Sequence, residues 1–301
     1  LREDMSFSSE VKEELSKLPC GKEHCVNAEI VAIITMCGGI HVSAFDNYSI
    51  KINTENIAVA RRLSILLYKN FKVKPEILIR VSKNEYKTYI VVIKNNIVTQ
   101  EILRLIEKDD YSKTCCQRAY LRGVFLAAGS ITDPNKSYHL EIVCNLREKT
   151  LKIQQILQKF DIESKKVARG NRFVVYIKEG SLIVDTLNVC GAHNCLMKLE
   201  NIRILKDVRN NLNRQVNCET ANISKVVKTA VRQIEDINLI KDKRGLDSLP
   251  DTLYEVALVR LSNPDASLVE LGKALENPIG KSGVNHRLRK ISEIADSLRQ
   301  N

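Results

Sequence analysis

Two groups of side chains in this 301-residue sequence have types and spacings that could do chemistry. The first are closely spaced cysteines and histidines: Cys20, His24 and Cys25 near the start, and Cys190, His193 and Cys195 further along. Thiolate and neutral imidazole are zinc ligands, and four residues between paired cysteines lies within the range of zinc sites, although two is commoner. Nine cysteines is an odd number, and with no secretory leader expected they point to free thiols in a reducing cytoplasm. Idle or buried thiols are therefore the expectation, with a zinc site joining the two clusters as the alternative. No metal or cofactor is expected. The second group lies near the C-terminus: Lys281, Ser282, Asn285, His286, Arg287, Arg289 and Lys290. Arg bonds bidentately to guanine and Asn to adenine, while Lys and Ser suit phosphates.

Several chemistries find no support. Gly280-Lys281-Ser282 has the form of a phosphate-loop tail, but the first glycine of that loop would fall at Leu275, and no strand precedes it. Neither H-E-x-x-H nor G-x-S-x-G occurs. No apolar run is long enough to cross a bilayer. A net charge of +11 favours an anionic partner, nucleic acid ahead of membrane. Tryptophan is absent and aromatics make up 5%, which argues against a base-stacking platform and for contacts with the backbone and grooves of double-stranded DNA.

The elements that would position the basic cluster can be read from periodicity. Ile223, Val227, Ala230, Ile234 and Ile237 mark a helix capped by Thr220 or Asn222 and ending at Lys241–Gly245. Pro250-Asp251 opens another helix, broken by Ser262-Asn263-Pro264-Asp265. A short helix over 267–275 follows, started by Asp265 or Ser267. After Asn277-Pro278-Ile279-Gly280, Ser282 is expected to cap a last helix with Val284, Leu288, Ile291, Ile294 and Leu298 on one face. A short helix, a tight turn and a basic amphipathic helix make the helix-turn-helix pattern, here at about 266–298.

The first two-thirds of the chain repeats itself. A28-E-I-V-A-I-I-T-M-C-G-G-I40 aligns with A119-Y-L-R-G-V-F-L-A-A-G-S-I131 at a spacing of 91 positions, so that Gly38 answers Gly129. Downstream, strand Y48–I52 answers Y138–I142, helix I57–Y68 answers T150–F160, and strand Y89–K94 answers F173–K178. Each unit reads helix, strand, strand, helix, strand, strand, helix. Two units in one chain imply a pseudo-two-fold pair with helices 28–38 and 119–129 packed at its centre. Gly38 and Gly129 are expected to end these helices in left-handed geometry. The fold class is α+β: a duplicated αββαββα domain followed by an all-α helix-turn-helix domain.

This arrangement resembles the LAGLIDADG homing-endonuclease fold over roughly residues 23–200. Leu121, Gly123, Ala127 and Gly129 match its helix motif letter for letter. The resemblance implies that the position before the final glycine of each helix holds the acid that binds the DNA-cutting metal. Cys37 and Ala128 stand there, and Thr35 and Leu126 occupy the motif's other acidic position. Hard cations need carboxylate oxygens, so a scaffold without its metal site, and no enzyme, is expected. Asp46 and Asp133 lie near the helices but are expected to serve turns. Lys51, Arg80, Lys87, Lys94 and Lys178 are candidate DNA-backbone contacts on the saddle of the repeated sheets.

R122-G-V-F-L-A-A-G-S-I-T-D-P-N-K-S-Y-H-L-E141, N213-R-Q-V-N-C-E-T-A-N222 and K281-S-G-V-N-H-R-L-R-K290, in that order, resemble the bacterial WhiA family from about Met5 to the end. The resemblance implies a transcriptional regulator of sporulation or cell division, acting at promoters on the nucleoid, whose endonuclease-like half does not cut DNA. The alternatives are a protein-interaction scaffold and an active metal-dependent nuclease. The domain reading is 1–4 a remnant ahead of a native start, 5–22 a helical arm, 23–200 the endonuclease-like domain (repeats about 27–110 and 118–200), 201–218 a helix or linker, and 219–301 the DNA-binding domain. A paired repeat within one chain favours a monomer, with a protein partner in transcription as a further expectation.

Overall fold

Residues 5–43, 47–82, 85–108 and 111–300 are described by a computed structural model of the chain. Asp46 lies outside them. The chain divides into two units, residues 1–207 and 208–301.

The first unit begins with helix α1 (Phe7–Ser16), after which the repeats run in parallel. The first is α2 (Glu23–Cys37), β1 (Gly38–Ser43), β2 (Asn47–Thr54), α3 (Ile57–Phe71), β3 (Glu76–Val81), β4 (Lys87–Ile93) and α4 (Asn96–Lys108). The second is α5 (Thr114–Ala128), β5 (Gly129–Ile131), β6 (Leu140–Cys144), α6 (Arg147–Gln158), β7 (Lys165–Arg169), β8 (Arg172–Ile177) and α7 (Gly180–Cys190). The two antiparallel sheets share one strand order, β1-β2-β4-β3 and β5-β6-β8-β7. This is the αββαββα duplication that the internal repeat implies.

α2 and α5 pack together at the centre because their crossing residues are small. A Cβ on Gly123 would stand 2.6 Å from the Glu29 carbonyl oxygen and 2.7 Å from the Ala32 Cβ. Ala32 and Gly123 are equivalent positions of the two repeats, so the crossing lies on the pseudo-two-fold axis. Gly38 and Gly129 correct the expectation of left-handed helix ends: their backbones are extended, at φ −92° and −83°. Glycine is needed there for space, since a Cβ would lie 2.5 Å from the Ile34 carbonyl oxygen in one and 2.4 Å from the Phe125 ring in the other. Strands β1 and β5 start directly from them.

One buried carboxylate ties the repeats. Glu29 of α2 accepts from Arg62 Nε (2.7 Å) and Nη2 (3.0 Å) of α3, and from Arg122 Nη1 (3.3 Å) of α5. Arg122 also donates through Nε to the Cys190 carbonyl at 2.8 Å, where α7 ends. α7 stops at Gly191, whose left-handed φ of 95° closes the helix.

Helix α8 runs unbroken from His193 to Arg244. No glycine or proline occurs in this span, and Gly245 at φ 78° ends it. The stretch 201–218 is therefore helical. Thr220 and Asn222, expected to cap a new helix, are interior to α8, because capping needs a break in the helix that nothing here supplies. In the second unit α8 is followed by α9 (Asp251–Ser262), α10 (Leu268–Lys273) and α11 (Lys281–Gln300). Ile237, Ile240, Leu253, Val256, Leu271, Val284, Leu288 and Ile291 form its core.

Candidate DNA-binding site

α10 and α11 form the tight pair. Ser267 caps α10 through a capping box: its hydroxyl accepts from the Glu270 amide, and Glu270 Oε2 accepts from the Ser267 amide at 2.7 Å. These hydrogen bonds hold the Glu270 carboxyl below the usual carboxylate range. α10 ends against the turn because Gly272 has no side chain. A Cβ there would lie 2.3 Å from the Ile279 carbonyl oxygen, while the Gly272 carbonyl accepts from the Ile279 amide at 3.1 Å. α11 begins at Lys281, two residues earlier than a Ser282 cap would place it. The Gly280 carbonyl accepts from the amides of Gly283 (2.9 Å) and Val284 (3.2 Å), so Ser282 sits inside the first turn instead of capping it.

Val284, Leu288, Ile291, Ala295 and Leu298 are buried, which fixes the rotation of α11. Lys281, Ser282, Asn285, His286, Arg289 and Lys290 are consequently exposed. A shallow depression bounded by Ser282, Asn285, His286, Arg289, Lys290 and Glu293 runs along this face. Arg289 rests on Glu293 at 3.3 Å, an exposed pair that a ligand can displace at little cost. Arg287 is the exception in the cluster. It is half-buried against α9, donating to the Thr252 carbonyl at 3.4 Å and lying 3.8 Å from Glu255. At the other end of α11, the fully buried Asp236 of α8 accepts from Ser292 Oγ and Arg299 Nη2, each at 2.6 Å.

In the first unit the C-terminal ends of α2 and α5 carry no carboxylate at the motif positions. Cys37 Sγ donates to the Ile33 carbonyl at 3.2 Å, and burial pushes its thiol up to about 11. Thr35 Oγ1 donates back to the Val31 carbonyl at 2.8 Å, and Leu126 is fully buried. The charges bearing on Cys37 are the ammonium groups of Lys12 and Lys149, both lowered from the usual lysine value by burial. Lys149 Nζ donates to the Thr35 carbonyl and, at 2.7 Å, to Asn145 Oδ1. Asp133 is engaged in its own turn, Oδ1 accepting from the Asn135 amide at 2.9 Å.

Family profiles match three consecutive segments: the WhiA N-terminal LAGLIDADG-like domain over 23–107, the WhiA LAGLIDADG-like domain over 117–209, and the WhiA C-terminal HTH domain over 212–295. The chain belongs to the WhiA family. The "Probable cell division protein WhiA" of Alkaliphilus metalliredigens is 44% identical over 315 residues, covering 98% of this chain and 99% of its own. That of Lachnoclostridium phytofermentans is 46% identical over 313 residues, covering 98% of this chain and all of its own (100%). Among solved structures, full-length DUF199/WhiA from Thermatoga maritima matches with a TM-score of 0.65 at 30% identity, over 97% of this chain and 99% of that one.

Strand register assigns the candidate sheet cations to faces, which alternation alone could not do. Ile50 pairs with Ile93 and Ile52 with Val91 toward the core, so Lys51, opposite Val92, lies on the outer face. Arg80 is opposite Thr88 on that same outer face. Lys87, opposite Val81, has the other parity. Lys94 follows β4 and is held by Glu76 at 2.7 Å. Lys178 follows β8, its ammonium 5.6 Å from the Tyr176 ring. Sequence reasoning passed over Lys165, Arg169 and Arg172. Lys165 is opposite Tyr176 and Arg169 opposite Arg172 on the outer face of the second sheet. Their signal was the alternation in K165-K-V-A-R169 across the hairpin turn at Gly170.

The zinc alternative does not come together as the sequence suggested. Cys190 and Cys195 are buried thiols pushed up to about 12 chiefly by burial, and the Asn194 and Cys195 amides donate to Glu14 instead. Cys20 is not with His24 and Cys25. The partners of that pair are Cys115 and Cys116, whose sulfurs belong to the other repeat. The signal was the repeat itself, since His24 and Cys25 are 91 positions before Cys115 and Cys116.

Proposed function

We propose that this chain is a sequence-specific regulator of transcription that binds double-stranded promoter DNA through α11, in the service of cell division or sporulation. The observation that carries the reading is the sorting of α11. Its apolar stripe is locked into the core, leaving Lys281, Ser282, Asn285, His286, Arg289 and Lys290 together on the solvent side of its first three turns. The first turns of such a helix enter the major groove, where Arg and Asn read base edges, while Lys281 and Ser282 at the helix start suit phosphate. The relatives' name, cell division protein, supports the cellular role. The outer-face cations Lys51, Arg80, Lys165, Arg169 and Arg172 add backbone contacts without sequence choice. Arg287, turned to α9, positions α11 and does not read DNA.

The endonuclease-like half acts in this reading as a binding scaffold and not as a nuclease. A divalent cation at the ends of α2 and α5 would meet a protonated thiol, a methyl group and two ammonium groups. No described helix is long and apolar enough to cross a membrane, and we place the chain in the cytoplasm, on DNA, as a monomer.

The test is selection of short genomic duplexes by the full-length chain in Mg²⁺, with bound fragments sequenced end to end. A shared motif with intact ends is expected. Arg289→Ala should weaken binding to that motif by about 1–3 kcal/mol, whereas Arg287→Ala should lower the stability of the second unit and leave base preference unchanged. Cut ends at a fixed offset would overturn the scaffold reading. A footprint indifferent to Arg289→Ala would overturn the choice of reading helix.

A further inference from the structure

At the N-terminal ends of α2 and α5, opposite the vestigial acid positions, four ligand atoms converge. His24 Nδ1 lies 3.2 Å from Cys116 Sγ, 3.3 Å from Cys25 Sγ and 4.0 Å from Cys115 Sγ. All four donor atoms are within 4.8 Å of one another. Zn–S bonds of about 2.3 Å and Zn–N bonds of about 2.0–2.1 Å put neighbouring donors of a tetrahedral site about 3.5–3.8 Å apart. The three imidazole–sulfur distances straddle that value. From this geometry we infer that His24, Cys25, Cys115 and Cys116 form a Cys₃His site for a zinc-like, thiophilic divalent cation.

Three independent features support the site. First, it is pseudo-symmetric: His24 and Cys115 are the second residues of their helices, and Cys25 and Cys116 the third. The same repeat axis that sets Gly123 against Ala32 brings these positions together. Second, neither helix has a side-chain cap, so the positive ends of two helix dipoles can offset the thiolate charge that metal binding creates; without a cation, burial keeps Cys25 (pushed up to about 12) and Cys116 raised, and binding must release their protons. Third, the donor set is soft. Three sulfurs and an imidazole select zinc-like cations and reject Mg²⁺ and Ca²⁺, so this is not a displaced nuclease centre. A 15-residue helix spans about 22 Å, which separates the cluster from Cys37 and Ala128. With four protein ligands the site would be closed and structural, clamping the two repeats where Glu29 and Arg122 hold them one to two turns further along. Cys20, Cys190, Cys195 and Cys218 stand outside it.

The test uses the full-length chain, reduced with a phosphine, desalted and titrated with Co²⁺ alone. One equivalent should produce thiolate-to-cobalt charge transfer in the near ultraviolet and strong tetrahedral ligand-field bands in the visible. One equivalent of Zn²⁺ should abolish both and raise the melting temperature. Cys115→Ser alters an exposed residue, so the fold is expected to survive, with circular dichroism as the check. It should weaken Co²⁺ binding at least tenfold, and Cys218→Ser should not. Absence of the bands in the reduced wild-type chain would overturn the inference. So would bands unchanged by Cys115→Ser, or a phosphine-resistant disulfide among Cys25, Cys115 and Cys116.

Discussion

Replacing Glu29 by Gln tests the idea that one buried charge network sets the two repeats against each other. Glu29 is 2% exposed and accepts three guanidinium hydrogen bonds, two from Arg62, which is 1% exposed, and one from Arg122, at 18%. Burial by itself would lower the Arg62 pKa, but the Glu29 hydrogen bonds outweigh it and raise it, so the guanidinium is stabilised as a cation. Gln keeps the size of Glu29 but has one oxygen and no charge. Arg62 would then be a buried cation without a counter-ion, supported by the one remaining amide oxygen and the Leu18 carbonyl. Breaking a buried pair from one side costs about 3–5 kcal/mol. For a unit of about 200 residues that lowers the melting temperature by roughly 10 °C. Calorimetry and urea titration of the full chain would measure it, the second unit serving as internal reference. Replacing Glu29 and Arg62 together by Leu should cost less than Glu29→Gln, because no uncompensated charge then stays between α2 and α3. A loss below about 1 kcal/mol for Glu29→Gln would refute the argument, since it would mean that water reaches the carboxylate.

Three further outcomes follow from the same reasoning. Gly123→Val pushes a branched side chain into the Glu29 carbonyl and Ala32, and should destabilise the first unit by about 1–3 kcal/mol in urea without changing the melting of the second. Asp236→Asn leaves one oxygen to accept from Arg299 and an NH2 that can only donate to Ser292 Oγ, reversing that bond, and removes the charge. With Arg299 40% exposed, the loss in the second unit should be about 1–3 kcal/mol, read from its thermal transition. Glu270 has a lowered pKa, so its contribution to α10 is complete above its unfolded value of 4.5 and fades as pH falls through the lower folded value. Melting of the second unit in wild type and Glu270→Gln should therefore converge on acidification below that value, and a constant gap down to strongly acidic pH would contradict the capping-box account.

Local features carried much of this protein in plain view. The 3.6-residue stripe Val284, Leu288, Ile291 and the helix start at Asp265 or Ser267 are complete within a few turns of chain, so helix placement and helix-turn-helix order could be read directly. The duplication was visible because equivalent packing demands equivalent small and apolar residues at a constant spacing. Three expectations failed locally for want of context, the first being a cap at Thr220 or Asn222, which lie inside an unbroken α8. Gly38 and Gly129 are extended because strands leave from them, and Ser282 yields the cap position because the Gly280 carbonyl takes the first helical bonds.

The sequence by itself determined most of the helices (though not that 201–218 continues one), that the first unit is doubled, and that carboxylates are missing where a nuclease would need them. Those properties depend on neighbours within about one helical turn or on internal comparison of the chain. Tertiary structure alone decided which residues from distant segments share a site. It turned Arg287 toward α9 while leaving Arg289 free of the core, put Arg80 but not Lys87 on the face of Lys51, and joined Glu29 to Arg62 and Arg122. It also matched His24 and Cys25 with Cys115 and Cys116 and not with Cys190 and Cys195. The physical reason is the axis between α2 and α5: residues 91 positions apart meet because two helices cross where no side chain stands between them, a constraint set by packing across the core rather than by sequence neighbours.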